Sequence, residues 1–245
     1  MCAKAVALAA RPEGMPKTSD FQIVDIESND PADGEIQVKN ICMSVDPYMR
    51  GRMVDRKSYV PPFQIGEPLT GGAIGKVTKS AHPDFKEGDF VSSHWGWRDG
   101  FTARAEGIER LGEIVAPASE YLGAIGMPGM TAYAGLLEVG ALKDGETVFV
   151  SGAAGAVGSI VGQIAKLKNC HVIGSAGNDE KVELLTKELG FDSAFNYNDG
   201  NLLGHLRELA PEGIDVYFDN VGAEHLEAAL MCMRQFGRIP LCGAI

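Results

Sequence analysis

The pattern of apolar and polar residues changes character near residue 118. Before this point, short segments of alternating polarity are separated by turns rich in glycine, proline and aspartate, which is typical of β-strands. These segments are EIQVKNICMSV, GGAIGKVTKS, DFVSSHWGW and GFTARAEGI. We therefore expect a β-rich barrel or sandwich over residues 1–118, with the apolar N-terminal stretch as its first strand.

After residue 118, a stretch with helical spacing, VAPASEYLGAIGMPGMTAYAGLLEVG, leads into alternating strand-like and helical segments. The strand-like runs are TVFVSG, CHVIGSA, SAFNY, IDVYFDN and GRIPLCGAI, and the helical ones are GAVGSIVGQIAKLKN, DEKVELLTKELG, LLGHLRELA and EHLEAALMCMRQF. This alternation predicts an α/β domain over residues 119–245, with βαβ units in a doubly wound parallel sheet of the Rossmann type. Such sheets usually have six strands, so we expect the chain to be a fragment that stops after the fifth.

Glycines 152, 155 and 158 lie between the first of these strands and its helix. They resemble the dinucleotide fingerprint G-x-G-x-x-G, except that Ala153 stands at its first glycine. Small residues there let the backbone approach a pyrophosphate, and the free N–H groups of the helix start favour an anion. The segment Gly155-Ala156-Val157-Gly158 is the candidate phosphate turn; the alternative is a tight turn in a domain without a ligand.

The end of the second strand indicates which dinucleotide is preferred. NAD sites place a carboxylate about 20 residues after the glycines, but the sequence there is VIGSAGNDEK. Lys181 can reach a 2′-phosphate and Ser175 can add a hydrogen bond, so the pattern favours NADP(H). Asp179 and Glu180 are an objection to a phosphate unless they point away from it, and Lys181 can equally be a solvated helix residue.

Composition narrows the class of partners. The chain of 245 residues has 33 acidic and 22 basic residues and no cluster of lysine and arginine, which argues against nucleic acid. The apolar stretch at the N-terminus is too short for a signal sequence or a membrane span. We therefore expect a cytoplasmic protein without membrane association. Its five dispersed cysteines predict reduced thiols.

Several segments carry a family resemblance. They are ARPEGMP, NICMSVDPYMRGRM, GMPGMTAYAGL, AAGAVGSIVGQIAK, GSAGNDEK, FNY and YFDNVGAEHL. In this order the chain resembles the zinc-independent branch of the medium-chain dehydrogenase/reductase superfamily, and within it the NADPH-dependent alkenal/one reductases of the prostaglandin reductase and curcumin reductase type. The resemblance implies a GroES-like catalytic domain, a Rossmann domain, NADPH, and reduction of the carbon–carbon double bond of an α,β-unsaturated ketone or aldehyde. It also suggests a homodimer for the full-length protein.

The resemblance also assigns roles to residues of this sequence. The implied cofactor contacts, besides the phosphate turn and Lys181, are Tyr197, Asn220, Met127, Thr131, Cys242, Gly243, Ala244 and Ile245. Tyr48 is the candidate catalytic residue, as a hydrogen-bond donor to the enolate oxygen that develops during hydride transfer. Without the resemblance, Tyr48, Met127 and Tyr197 would be interpreted as packing residues and Asn220 as a helix cap.

No metal site is expected. The segment IGEPLTGGAIG replaces the Gly-His-Glu of the zinc branch, and no histidine has a cysteine at ligand spacing. Reduction of an enone needs less activation by the protein than oxidation of an alcohol, because the enone's own carbonyl makes its β-carbon electrophilic. Positioning of the substrate and hydrogen-bond donors are then sufficient. Two alternatives stay open, namely a quinone reductase of the same superfamily and a non-catalytic NADPH-binding protein.

Overall fold

The structure is a computed structural model that describes residues 2–58 and 60–243. The chain forms two compact units, residues 1–122 and 123–245. In the first unit an antiparallel pair is followed by a five-stranded antiparallel sheet. The bounds are β1 (Cys2–Leu8), β2 (Phe21–Glu27), β3 (Glu35–Met43), β4 (Ala73–Ser80), β5 (Phe90–Ser93), β6 (Gly100–Arg104) and β7 (Glu109–Gly112). The larger sheet has the order β6-β3-β4-β5-β7.

Two apolar clusters stabilise this unit. One covers the five-stranded sheet, and its buried members include Ile36, Val38, Val77, Val91 and Phe101. The other surrounds the short helix α1 (Tyr48–Arg52) and includes Leu8, Met49, Met53, Phe63 and Leu69. Short 3₁₀ turns lie at Thr18–Asp20 and Ala118–Leu122. The prediction of a β-rich N-terminal part is confirmed.

The second unit is an α/β layer structure. Its strands are β8 (Thr147–Val150), β9 (His171–Ala176), β10 (Ser193–Asn196), β11 (Ile214–Phe218) and β12 (Met233–Arg238). Its helices are α2 (Met127–Tyr133), which continues as a π-helical segment Ala134–Val139, and α3 (Ala156–Leu167), α4 (Asp179–Lys187), α5 (Leu202–Leu209) and α6 (Ala223–Leu230). A 3₁₀ turn covers Tyr197–Asp199. All strand pairs are parallel, in the order β10-β9-β8-β11-β12. The predicted Rossmann-type sheet of five strands is confirmed.

The boundary between the last helix and the last strand differs from the prediction. The apolar run in EHLEAALMCMRQF has helical spacing, but α6 ends at Leu230 and β12 begins at Met233 instead of residue 237. The Ile214 N–H of β11 donates to the Cys232 carbonyl, so at Cys232 this carbonyl already bonds to the neighbouring strand and not within a helix. Within the strand, Phe236 has φ 64°, which accompanies a register shift against β11. Tertiary pairing therefore overrides the local helical pattern.

Helix α3 lies very close to the sheet because of two glycines. A Cβ on Gly162 would overlap the ring of Phe191, and a Cβ on Gly174 of β9 would lie 3.0 Å from the same ring. Phe191 is buried and belongs to the main apolar cluster of this unit. The ring fills the space that both glycines leave, and this packing fixes the height of α3 above the sheet.

Candidate functional site

The turn between β8 and α3 is shaped by glycine. Gly152 has φ +57°, the left-handed region that favours glycine. The Gly155 N–H donates to the Gly152 carbonyl (3.0 Å), and the Ala153 N–H donates to the Ser175 carbonyl of β9 (2.9 Å). A Cβ on Gly158 would lie only 2.6 Å from the Gly152 oxygen. The turn therefore stays compact only with glycine at this position.

Helix α3 begins directly at this turn, with Gly155 as its N-cap. Glycine has no side chain to accept from the first N–H groups of the helix, which belong to the segment Ala156–Gly158. Free N–H groups and the helix dipole together favour a bound anion. The predicted phosphate turn thus has a geometry that fits a pyrophosphate.

The carboxyl ends of β8 and β11 meet at the centre of the sheet, where the strand order reverses direction. Ligands of open parallel sheets bind at such a point. Ser151 and Asn220 lie here and are joined by two hydrogen bonds: Asn220 Nδ2 donates to the Ser151 carbonyl (2.8 Å), and the Asn220 N–H donates to Ser151 Oγ (3.0 Å). Asn220 is therefore held beside the glycine turn.

Asp219 accepts several hydrogen bonds at this end of the sheet. Its side chain is buried, with the residue only 1% exposed. One carboxylate oxygen, Oδ1, accepts from the Tyr217 hydroxyl (2.6 Å), the Gly222 N–H (2.7 Å), the Val221 N–H (3.0 Å) and Ser151 Oγ (3.3 Å). Burial raises the pKa of Tyr217, and its hydrogen bond to Asp219 adds to this shift. We call Ser151, Tyr217 and Asp219 the buried polar network.

The segment after β12 returns to the same place. The N–H groups of Cys242 and Gly243 both donate to the Asp219 carbonyl (2.8 and 3.0 Å). A Cβ on Gly243 would lie 2.6 Å from the Asn220 oxygen. The structure therefore brings Cys242 and Gly243 next to Asn220, whereas Ala244 and Ile245 lie outside the described residues.

A second group of predicted residues meets where β9 leads into α4. The Tyr197 hydroxyl lies 2.8 Å from the position that a Cβ on Gly177 would take. The Tyr197 ring meets His225 edge-on, with ring centroids 5.0 Å apart. Lys181 is exposed in the first turn of α4, and its N–H donates to the N-cap Asn178 (2.9 Å). Among residues 2–58 and 60–243, no carboxylate lies within 4.0 Å of its ammonium.

Two buried polar atoms near these groups lack a hydrogen-bond partner within the described part of the chain. They are Ser175 Oγ and His225 Nε2. Ser175 is fully buried in β9, so the structure places its hydroxyl below the surface on which Lys181 lies. Burial lowers the pKa of His225, against opposing effects of Asp219 and Glu224. A neutral imidazole is therefore favoured behind Tyr197.

The remaining predicted residues belong to helices α1 and α2. Met127 and Thr131 are one turn apart on α2, and the Thr131 hydroxyl contacts the Met127 sulfur at 3.4 Å. Both belong to the second unit. Tyr48 begins α1 in the first unit, where it packs against the cluster that contains Met49 and Leu69.

The described residues bring no three histidine, cysteine, aspartate or glutamate side chains together as a metal site. Within the same ranges, no helix combines the length and apolar character needed to cross a membrane.

Sequence reasoning missed part of the site. The buried polar network and the side chains of Asn196 and Asn198 were not predicted. The one available signal for Asp219 is its place in YFDN, directly after a run of fully buried strand residues. An acid there must be paired, because a buried carboxylate without partners is costly.

Together the turn, the reversal of strand order and the surface lysine define the second unit as an α/β unit of the dinucleotide-binding type. Comparison with known proteins agrees with this class. Residues 4–111 match the family model described as the N-terminal domain of oxidoreductase, and residues 156–245 match the one described as zinc-binding dehydrogenase.

Individual relatives are similar over nearly the whole chain. The 2-alkenal reductase (NADP⁺-dependent) of Nicotiana tabacum is 46% identical over 99% of this chain and 72% of its own length. The NADPH-dependent curcumin reductase of Escherichia coli is 41% identical over 97% of this chain and 69% of its own length. The crystal structure of CurA from Vibrio vulnificus in complex with NADPH has 42% identity and a TM-score of 0.93, covering 98% of this chain and 72% of that one. The chain belongs to the medium-chain dehydrogenase/reductase family, as its motifs predicted.

Proposed function

We propose that this chain forms the major part of an NADPH-dependent reductase that reduces the carbon–carbon double bond of α,β-unsaturated ketones and aldehydes without zinc. The observation that most directly supports NADPH as the cofactor is at the end of β9. There, no carboxylate follows the strand directly, while the Lys181 ammonium has no ion-pair partner within the described residues. The sequence-based choice of NADP(H) agrees with the cofactor in the names of the curcumin reductase and the 2-alkenal reductase.

The described residues fit such a cofactor in three places. The backbone N–H groups of the segment Gly155–Gly158 would hold the pyrophosphate. The turn that presents them is compact because Gly158 has no Cβ, which would lie 2.6 Å from the Gly152 carbonyl oxygen. Lys181 and Tyr197 would hold the 2′-phosphate end. Asn220, Cys242 and Gly243, which meet at the centre of the sheet, would lie along the nicotinamide half.

Bound NADPH would supply the hydride that an enone accepts at its β-carbon. The protein's own part is then to hold the substrate in register and to donate hydrogen bonds to the enolate oxygen. We propose Tyr48 as such a donor, with solvent supplying the proton to the α-carbon. A phenol suits this role because it donates a hydrogen bond while staying protonated at neutral pH.

The test is NADPH oxidation, followed at 340 nm, with 3-nonen-2-one as substrate. Matched reactions with NADH, a quinone and a saturated ketone identify cofactor and reaction, and a fluorescence titration of NADPH measures binding separately. We expect oxidation that depends on the enone and prefers NADPH. Lys181→Ala should weaken NADPH binding roughly tenfold or more and leave NADH binding unchanged, since a charge-assisted contact contributes about 1.5–3 kcal/mol.

Lys187→Ala is the matched control, because Lys187 lies on the same helix and is paired with Glu183. Its loss should not change the preference between the two cofactors. Quinone-dependent oxidation without enone turnover would contradict the enone assignment in favour of a quinone reductase. Binding of NADPH without any turnover would show that these 245 residues are not a competent enzyme by themselves.

A further inference from the structure

Three asparagine and aspartate side chains connect the turn after β9 to the turn after β10. Asn196 Nδ2 donates to Asp179 Oδ1 (2.9 Å), and Asn196 Oδ1 accepts from the Asn198 N–H (3.1 Å). Asn198 Nδ2 in turn donates to the Gly177 carbonyl (2.8 Å). We call Asn196, Asn198 and Asp179 the asparagine bracket. It encloses Tyr197, whose hydroxyl lies over Gly177.

The bracket fixes the orientation of the Asn196 amide. Its oxygen must face the Asn198 N–H, because a flipped amide would place two donors against each other. The amide nitrogen therefore faces Asp179, which opens helix α4. One carboxylate oxygen of Asp179 is thus held toward β10.

The position of Asp179 gives this contact a functional meaning. Asp179 stands two residues before Lys181 in the first turn of the same helix, where a carboxylate stabilises the helix dipole. A carboxylate released from Asn196 would bring its negative charge closer to the Lys181 ammonium and would repel a phosphate bound there. Other lysines of this unit are paired with carboxylates at other spacings: Lys166 contacts Asp192, 26 positions away, at 2.8 Å, and Lys187 contacts Glu183, one helical turn away, at 2.8 Å.

We propose that Asn196 is a specificity-determining positioning residue for NADPH over NADH. By holding the Asp179 carboxylate toward β10, it keeps the Lys181 ammonium available for the 2′-phosphate and keeps a negative charge away from it. This inference depends on the proposed function, because it takes the 2′-phosphate to lie beside Lys181. For Asp179, it answers the objection that an acidic helix start raises against a phosphate site.

The test measures dissociation constants of NADPH and NADH by fluorescence titration, without any substrate. In Asn196→Ala, the dissociation constant of NADPH should rise roughly three- to fivefold, the upper part of the range for a surface charge contact, while that of NADH should change by less than about twofold. The double variant Asn196→Ala/Asp179→Asn should restore NADPH binding, because the released carboxylate is gone. Raising the salt concentration should shrink the effect of Asn196→Ala, since the repulsion is between exposed charges.

Asn198→Ala is the matched control, because it removes a bond of the bracket and leaves the contact between Asn196 and Asp179 in place. It should affect NADPH and NADH alike. Equal weakening of both cofactors in Asn196→Ala, or no restoration in the double variant, would overturn the inference while a selective effect of Lys181→Ala left the proposed function standing. A wild-type protein that binds both cofactors equally and is insensitive to Lys181→Ala would overturn both.

Discussion

Asp219 and Asp179 stand at the two ends of the candidate site and make contrasting use of one functional group. Asp219 is buried and accepts four hydrogen bonds on one oxygen, two of them from backbone N–H groups. Asp179 is exposed and accepts from the single side chain of Asn196. A buried acceptor that is removed leaves its donors unpaired, whereas water replaces an exposed one. The first carboxylate should therefore act on folding, and the second on selectivity.

The largest expected effect is that of Asp219→Ala on stability. The substitution leaves two buried backbone N–H groups, those of Val221 and Gly222, without their acceptor, and the Tyr217 hydroxyl keeps only its longer contact with Ser151 Oγ (3.1 Å). The free energy of unfolding should therefore fall by about 3 kcal/mol or more. Urea denaturation followed by circular dichroism measures this loss. Asp25→Ala is the control, since Asp25 pairs with Lys4 on the surface and should contribute less than about 1 kcal/mol.

Asp179→Ala sharpens the same comparison. It should cost about 1 kcal/mol or less in the same assay. If Asp219→Ala and Asp179→Ala destabilised the protein equally, burial would not explain the difference between the two ends.

An effect between those of the two aspartate substitutions is expected at the glycine turn between β8 and α3. A Cβ on Gly158 would lie 2.6 Å from the Gly152 oxygen and 2.8 Å from Ala153 Cα, whereas a Cβ on Gly155 would lie 3.1 Å from the Gly152 oxygen. Gly158→Ala should therefore cost about 1–3 kcal/mol and weaken NADPH binding, with a smaller loss for Gly155→Ala. Thermal melts with and without NADPH measure both. A larger loss for Gly155→Ala would show that the turn adapts in a different place.

The smallest expected effect on stability concerns His225, whose ring packs edge-on against the ring of Tyr197. Its pKa is lowered in the folded protein, so the unfolded chain takes up a proton at a higher pH than the folded one. Stability should therefore be lost as the pH falls below about 6.5, the ordinary pKa of histidine. Urea midpoints at pH 7.5 and 5.5 should differ less in His225→Gln than in the wild type. The exposed His94 offers the control, because His94→Gln should keep the wild-type difference.

Periodicity was sufficient to predict the alternation of strands and helices, because each element buries one face against the next. The end of α6 escaped prediction, since sheet pairing of β11 with the segment around Cys232 decides it. The glycine turn and Lys181 followed from local sequence. The asparagine bracket did not, because it joins Gly177 to Asn198 across 21 positions, and only the packed sheet brings their turns together.

The wedge that Phe191 forms against Gly162 and Gly174 constrains how this sequence can vary. The three positions share one volume, so substitutions at them should be strongly non-additive. In a combinatorial library selected for folded protein, a larger residue at 162 should survive mainly beside a smaller one at 191. During evolution, substitutions at this junction would thus occur in compensating pairs. If α3 were replaced by the corresponding helix of a relative, residue 191 would have to be replaced by the relative's residue as well.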